Sequence, residues 1–486
     1  MKMKKIVALL LALVMVVGVV AACGGTATTT DTTAVGTPKA TTTAAEATTA
    51  ATTKAVETTA AVTTPAGNTP VDIIAPATDV TDEDTTPIVI WAWNEEFKGL
   101  LDKFYVAENA GFKYDYQVTE NTTYQTKLDG VLATGDSAPD IYLVEADYAK
   151  KYVNSENSLN INELGISNAE LADQYAYTYN FMTSDDGAVK ALSWQSCPAG
   201  VFYNRSLAKT YLGTDDPATV GKSFASWDAF MAMATKLNTD SKGAVKAISG
   251  YDDLWRSFQN SRSTGWLVDG KVTIDPMIEK YFDYAKQLKT DKLTFETAQW
   301  NADWTANMSN KTVLSYWGPM WLLNFSMGFG YEADGTTVAA DKNPTTGDWA
   351  YCGAPVSYFW GGTWITASKY DNNKATSAAI MRFFTIDPTS MGKIAAGGEF
   401  VNNVSVMTKI GADSTFKVAY LGGQNPITAL LDAAKKIDVS AITGDDQAIN
   451  AVFTSTVNAY VNGEIASVAD AEQAFIADCA DAGIGA

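Results

Sequence analysis

Between Pro87 and Val144, short β-branched runs alternate with amphipathic helical ones, and few folds accommodate that rhythm. Ile88-Val89-Ile90-Trp91-Ala92-Trp93 starts as a strand straight after a proline. Residues 97–108 place Phe97, Leu100, Leu101, Phe104 and Tyr105 at helical spacing. Residues 112–118 alternate as a strand, 124–132 return to a helical period, and Ile141-Tyr142-Leu143-Val144 forms a third strand. This β-α-β-α-β order predicts a parallel α/β sheet. In such sheets ligands bind beyond the carboxyl ends of the strands. Those ends carry Trp93, Asn94 and Glu95 after the first strand, and Glu145 and Asp147 after the third. Along the first strand Trp91 alternates away from Trp93 and is expected in the core.

Further along, residues 189–194 read as a strand. Ser196-Cys197-Pro198-Ala199-Gly200 breaks it, and Val201-Phe202-Tyr203-Asn204-Arg205 resumes as strand and turn, as a crossover between two lobes would. Helical segments are expected at 227–237, 252–262, 276–288, 374–386, 428–436, 446–460 and 470–479. Thr312 to Trp321 reads as strand, tight turn and helix start, with Pro319 suited to a first helical turn. Tyr358-Phe359-Trp360-Gly361-Gly362-Thr363-Trp364-Ile365-Thr366-Ala367 sets three aromatics before two glycines and a β-branched strand. Trp364 and Ile365 are expected to build core. Trp360, Gly361, Gly362 and Thr363 offer flat apolar faces beside open amides, which suits a sugar.

The formal net charge of −20 disfavours nucleic acid and anionic surfaces as partners. The chain has no histidine, which removes His-based triads and His metal sites. Cys23, Cys197, Cys352 and Cys479 have neither zinc-knuckle nor redox-pair spacing; the last three are expected as buried free thiols, with at most one disulfide among them as the alternative. No metal or cofactor is expected. Ser206-Leu207-Ala208-Lys209 matches S-x-x-K, but the companion S-D-N and K-T-G motifs are missing. Asp252-Asp253, as neighbours on a helix, do not face one another as glycosidase carboxylates must.

Met1-Lys2-Met3-Lys4-Lys5 followed by an apolar run to Ala22 reads as an export signal. Val20-Ala21-Ala22-Cys23 resembles the lipobox of bacterial lipoproteins, which implies cleavage before Cys23 and acylation of its thiol. Residues 23–86 are Thr/Ala-rich without aromatic periodicity and read as a disordered tether, with a reach of about 40–45 Å for a flexible coil.

Ile88-Val89-Ile90-Trp91, Ala133-Thr134-Gly135, Pro139-Asp140-Ile141-Tyr142, Tyr203-Asn204-Arg205, Trp317-Gly318-Pro319 and Gly361-Gly362-Thr363-Trp364-Ile365 fall in one order along 87–486. That order resembles the extracellular solute-binding proteins of ABC importers, in the branch similar to maltose-binding protein. The resemblance implies an α/β periplasmic-binding-protein-like fold (class II): two lobes with parallel-rich sheets flanked by helices, and a hinge between them. Lobe 1 would be 87–196 plus 357–403, and lobe 2 197–356 plus 404–486. Hinge crossings are expected near 196–200, 353–357 and 402–406.

The resemblance also implies a binding role without catalysis. The loops bearing Trp93, Asn94, Glu95 and Glu96, and Glu145 and Asp147, occupy the places of hydroxyl-binding loops. A carboxylate accepts two hydroxyl hydrogen bonds at once. A cap on the next helix is the lesser alternative for Glu145 and Asp147. The family places a sugar-stacking tryptophan after Gly-Pro, but Met320 stands there, so Trp317 and Trp321 share that expectation. Trp194, Gln195 and Trp360 offer further platforms. Asp252 and Asp303 fit the cleft or a solvated helix surface equally. The expected partners are a carbohydrate, the membrane permease and, through Cys23, the lipid on the extracytoplasmic face, with the chain as a monomer. The alternatives are a cationic or peptide-like ligand, or a surface glycan adhesin or glycosidase.

Overall fold

The computed structural model describes residues 75–83, 86–331, 337–338 and 342–485. The expected signal at 1–22 and Cys23 lie outside the described residues, as does the tether as far as 74.

Strands β1 (Ile88–Ala92), β2 (Tyr114–Val118) and β3 (Ile141–Glu145) run parallel, with β1 between the other two. The crossovers are helical. The first runs through Glu96–Leu100, a wider π-turn at Leu101–Tyr105 and Val106–Glu108, and the second is Asn121–Thr134. All residues of β3 but Glu145 are buried, the pattern of a strand covered on both faces.

A second sheet is built around β4 (Pro198–Asn204), every residue of which is buried. It pairs with β5 (Ser315–Gly318), β6 (Trp349–Cys352) and β7 (Tyr358–Phe359). This corrects the expectation of two parallel-rich sheets. All three pairings are antiparallel, and the parallel contact seen beside them is a lone bridge between Lys246 and Val313. The physical reason is that β4 enters from the first lobe and runs against the strands it meets.

The chain then returns. After β7 it passes through Trp360, Gly361 and Gly362 into β8 (Thr363–Ala367), which pairs antiparallel with β3, Thr363 opposite Glu145 and Ala367 opposite Ile141. The passage between sheets thus falls at 360–362 rather than at 353–357. Two further connections run side by side: Ser196 N donates to the Phe400 carbonyl at 2.9 Å and Asn402 N to that of Trp194 at 2.9 Å. Residues 189–194 do not form the expected strand. Their backbone pairs with β8 at a single bridge, where Leu192 and Ile365 exchange hydrogen bonds. Ser193 Oγ then donates to the Thr363 and Gln195 carbonyls and turns the chain away.

Gly362 shows why the crossing needs glycine. Its φ is +116°, and a Cβ there would lie 3.1 Å from the Trp364 ring. Gly362→Ala should destabilise the fold by more than about 1 kcal/mol through backbone strain and crowding. Thermal melts check this: an unchanged Tm would show that the crossing tolerates a side chain.

Two cores flank this arrangement. The first joins Ile90, Tyr142, Trp364 and Phe384 and continues to one face of the second sheet through Phe202, Tyr316 and Trp349. The second joins Val201, Tyr203, Trp317, Phe258, Phe282 and Phe453. Alternation along β4 sends Phe202 to one core and Val201 and Tyr203 to the other. Cys197, Cys352 and Cys479 are free and buried.

Residues 75–83, read from sequence as part of the tether, lie against the first lobe. Ala77 N donates to the Asn162 carbonyl and Glu83 N to that of Asn372. Asp82 accepts from Thr376 N (3.0 Å) and Thr376 Oγ1 (2.7 Å), at the first turn of helix Lys374–Thr385, whose own N-cap residue Asn373 makes no side-chain cap. Asp82→Ala should therefore cost about 0.5–2 kcal/mol, the usual loss for a removed cap. A denaturant midpoint unchanged by this substitution would show that the segment is not held there.

Candidate functional site

β1 and β3 deliver their carboxyl ends to the same side of the first sheet because they are parallel neighbours. The 360–362 crossing arrives beside them because β8 is antiparallel to β3, and Ala146 N donates to the Gly362 carbonyl at 3.1 Å. The second lobe brings Arg256 on helix Trp255–Gln259 and Trp321 just after β5.

Three tryptophans meet here. Trp321 Nε1 donates to the Trp360 carbonyl at 2.8 Å. The two rings stand edge to face, with centroids 4.8 Å apart at 71°. Trp300 lies parallel to Trp321 at 6.0 Å and crosswise to Trp360 at 5.8 Å. Trp300 has a φ of +69°, an outlier for a bulky residue, on the loop leading to helix Ala302–Asn310. Trp300 and Trp321 are only partly buried, whereas Trp360 is 5% exposed. A Cβ on Gly361 would lie 3.2 Å from Trp321 Nε1, so the glycine lets the indole reach the backbone.

Carboxylates line the first-lobe side. Gln195 bridges two parts of it: its Nε2 donates to Glu96 Oε1 at 2.8 Å, and its Oε1 accepts from Thr363 N at 3.1 Å. Burial pushes the Glu96 carboxyl up to about 8; the Glu399 charge adds to this and the Gln195 bond opposes it. Glu96 keeps solvent access while protein surrounds it, as the wall of a cleft does. Burial raises Glu399 to about 7. Glu145 accepts from Asp147 N at 2.7 Å, capping helix Ala146–Val153, and is pushed up to about 8 by burial and then by the Asp147 charge. Asp147 is taken by Arg256 in a two-pronged ion pair, with Nη2 to Oδ2 at 2.7 Å. Arg256 also donates to Gln259 Oε1 at 3.0 Å and lies 5.9 Å from the Trp360 ring centre.

Several residues expected in the site are elsewhere. Trp194 is fully buried, stacked on Phe97 at 5.1 Å. Trp317 is 2% exposed in the second core, parallel to Trp227 at 5.7 Å, so Trp321 is the indole left to face the cleft. Asp303 is exposed in the first turn of its helix. Asp252 Oδ2 accepts from Gln299 N at 2.8 Å and ties a loop. Trp93 packs edge-on against Tyr124 and Tyr148, Asn94 Oδ1 accepts from Glu96 N, and Glu95 is exposed. Trp91 is in the first core. Arg256, Trp300 and Glu399 carry no motif that singles them out in the sequence. Trp300 flanks Asp303 in an aromatic-rich run, the one local signal. Arg256 and Glu399 reach the site only through tertiary packing.

The lobes meet closely beside the Asp147–Arg256 pair, around a cavity of about 10 Å³ lined by Ala146, Gln259, Asn260 and Gly361 among others. A larger, open cavity of about 520 Å³ lies at the amino end of β3, lined by Glu83, Ser137, Lys369 and Tyr370. It is polar, with Tyr370 its one aromatic residue, so it lacks the stacking faces of the tryptophan cluster. Among the described residues no group of metal-ligating side chains is suited to an ion. No described helix is long and apolar enough to cross a membrane.

This geometry can be set against known proteins. No curated protein sequence matches the chain. Among solved structures, one described as an extracellular solute-binding protein family 1 member is 18% identical, with a TM-score of 0.67 over 80% of this chain and 98% of that one. The ABC-transporter-associated binding protein from B. animalis subsp. lactis Bl-04, solved with β-1,6-galactobiose, is 20% identical, with a TM-score of 0.62 over 83% and 99%. The galacto-N-biose/lacto-N-biose I-binding protein from Bifidobacterium longum is 14% identical, with a TM-score of 0.63 over 82% and 98%. All share the two-lobed fold. The family description "bacterial extracellular solute-binding protein" matches residues 91–386, and the chain belongs to that family of non-catalytic ABC-transporter receptors.

Proposed function

We propose that this receptor binds a mono- or oligosaccharide in the cleft between its lobes and delivers it to an ABC permease. We further propose that acylated Cys23 anchors it on the extracytoplasmic face of the membrane. One observation carries the ligand reading: the partly exposed indoles of Trp300 and Trp321 stand against Trp360 at the crossing, and Gln195, which bonds Thr363 at the end of that crossing, also holds the Glu96 carboxylate. Indole faces take the C–H surface of a sugar ring, and the carboxylates with Gln195 accept its hydroxyls. Two of the solved neighbours named above, one holding β-1,6-galactobiose and one lacto-N-biose, support the same ligand class. The lobes are assigned as 87–196 plus 357–403 and 197–356 plus 404–486, adjusted at the 360–362 crossing. The connections at 194–196, 360–362 and 400–402 serve as the hinge.

A second reading has one specific observation in its favour. Glu96, Glu145, Asp147 and Glu399 outnumber Arg256, the guanidinium that pairs with Asp147 here, as a cleft for a cationic solute would require. Calorimetric titration with neutral sugars, amino sugars and basic peptides at two salt concentrations separates the two. A neutral sugar should bind with affinity nearly independent of salt, whereas a ligand held by charge weakens as salt rises. Binding confined to cationic ligands would replace the sugar reading with the second.

A further inference from the structure

We propose that Asp147 and Arg256 form the pair that holds the two lobes closed, setting how long the ligand stays rather than which ligand is chosen. This rests on reading the cleft as the ligand site. Asp147 stands on helix Ala146–Val153, which leaves β3 directly and packs into the first core through Tyr148 and Ala149. Arg256 stands on helix Trp255–Gln259, which packs into the second core through Phe258. Among the ion pairs of the described residues, this is the one that joins an element of the first sheet's lobe to the second core.

Its geometry is the strong kind. Both guanidinium prongs meet both carboxylate oxygens, and Gln259 takes a further donor. The side chains are 21% and 35% exposed, so the pair is shielded more than a surface ion pair and less than a buried one. With both Asp147 oxygens occupied, a ligand hydroxyl competes poorly for them. The pair also touches the site, since Arg256 lies beside the Trp360 ring.

The other bridges across the cleft are of a different kind. Asn324 donates to the Gly398 carbonyl (2.7 Å) and Trp321 to the Trp360 carbonyl. These are neutral bonds to backbone and supply little of the charge-dependent attraction. When the lobes part, Asp147 and Arg256 return to water. Closure gains their charge-assisted bonds, and the open–closed balance shifts by that difference.

The test uses the full folded receptor with Asp147→Asn, Arg256→Gln and the double variant. Cysteines replacing exposed Asp115 and Ala232 carry a dye pair that reports the distance between lobes. Each single variant should lower the closed fraction both without sugar and at saturating sugar. Release of the best-binding sugar should quicken about tenfold, with the association rate held within about threefold. The double variant should be no worse than either single, because the two act as one unit. An unchanged distance distribution and release rate in the singles would overturn the proposal. So would additive losses, or a loss confined to association, which would make Asp147 a ligand contact. Should no sugar bind the unmodified protein, the functional reading falls, and the sugar-free distance distribution still decides the closure pair.

Discussion

Trp321→Ala is expected to weaken sugar binding by roughly 30-fold or more, about 2 kcal/mol, while moving Tm only slightly. Trp321 is partly exposed, and the bond it makes goes to a backbone carbonyl at the crossing. Its removal takes away the stacking face and leaves Trp360 with Trp300 as its remaining edge-to-face partner in the cluster. The contrasting substitution is Trp364→Ala. Trp364 is 2% exposed, packs on Phe181 at 4.7 Å and sits in the first core. Its loss should cost about 3–5 kcal/mol of stability and leave the affinity of the folded fraction close to normal. Calorimetric titration and thermal melts on both variants give the comparison. A Trp321→Ala protein that binds normally would remove the cluster from the site.

The second large effect is on stability against pH. With no histidine in the chain, side-chain titration between pH 5.5 and 8 falls to carboxylates that burial has raised. Glu145 is raised to about 8, Glu399 to about 7 and Asp371 to about 7, in each case by burial first. Asp252 and Asp253 are raised as well by burial, and the Asp253 charge adds to the rise at Asp252.

A carboxyl raised in the folded state binds its proton more tightly there than in the unfolded chain. Its contribution is fully present below the unfolded value near 4.5 and is lost as pH rises through the folded value. The folded protein should therefore be more stable at pH 5.5 than at pH 8.5. The difference should be on the order of a few kcal/mol, since a tenfold gain in proton affinity on folding is worth about 1.4 kcal/mol. Glu96 is exposed, and water screens its charge, so it contributes less than the buried Asp253 and Asp371; the half-buried Glu145 and Glu399 fall between. The carboxylates held low, such as Asp102 and Asp387, act below this window. Tm measured from pH 5.5 to 8.5 should fall, and Glu145→Gln should flatten the slope. A Tm that rises over that range would mean that these groups are ionised and satisfied.

Much of this is legible locally. The β-α-β-α-β rhythm is dictated by side-chain period and predicts the three parallel strands of the first sheet. In the aromatic-glycine stretch at 358–367, Trp364 and Ile365 are core as the pattern suggests, but Trp360, expected at the cleft, is buried in that same first core while standing at the crossing. Its deeper role is hidden from the sequence, because Tyr358 and Phe359 belong to one sheet and Thr363 to Ala367 to the other. That division is set by pairing partners far away in the chain. Trp194 and Trp317 carry the same local signal as Trp321, and only packing decides which ring is sealed in a core. Arg256 looks like any helical arginine until Asp147 is brought opposite it.

A crystal structure of the receptor with the best-binding sugar would show whether the sugar is held between the two lobes. The expected result is a pyranose ring stacked on Trp321 or Trp360, with its hydroxyls within hydrogen-bond reach of Glu96, Gln195 or Glu399. Sugar bound instead in the polar cavity beside Lys369 and Tyr370, with the cleft tryptophans untouched, would contradict it.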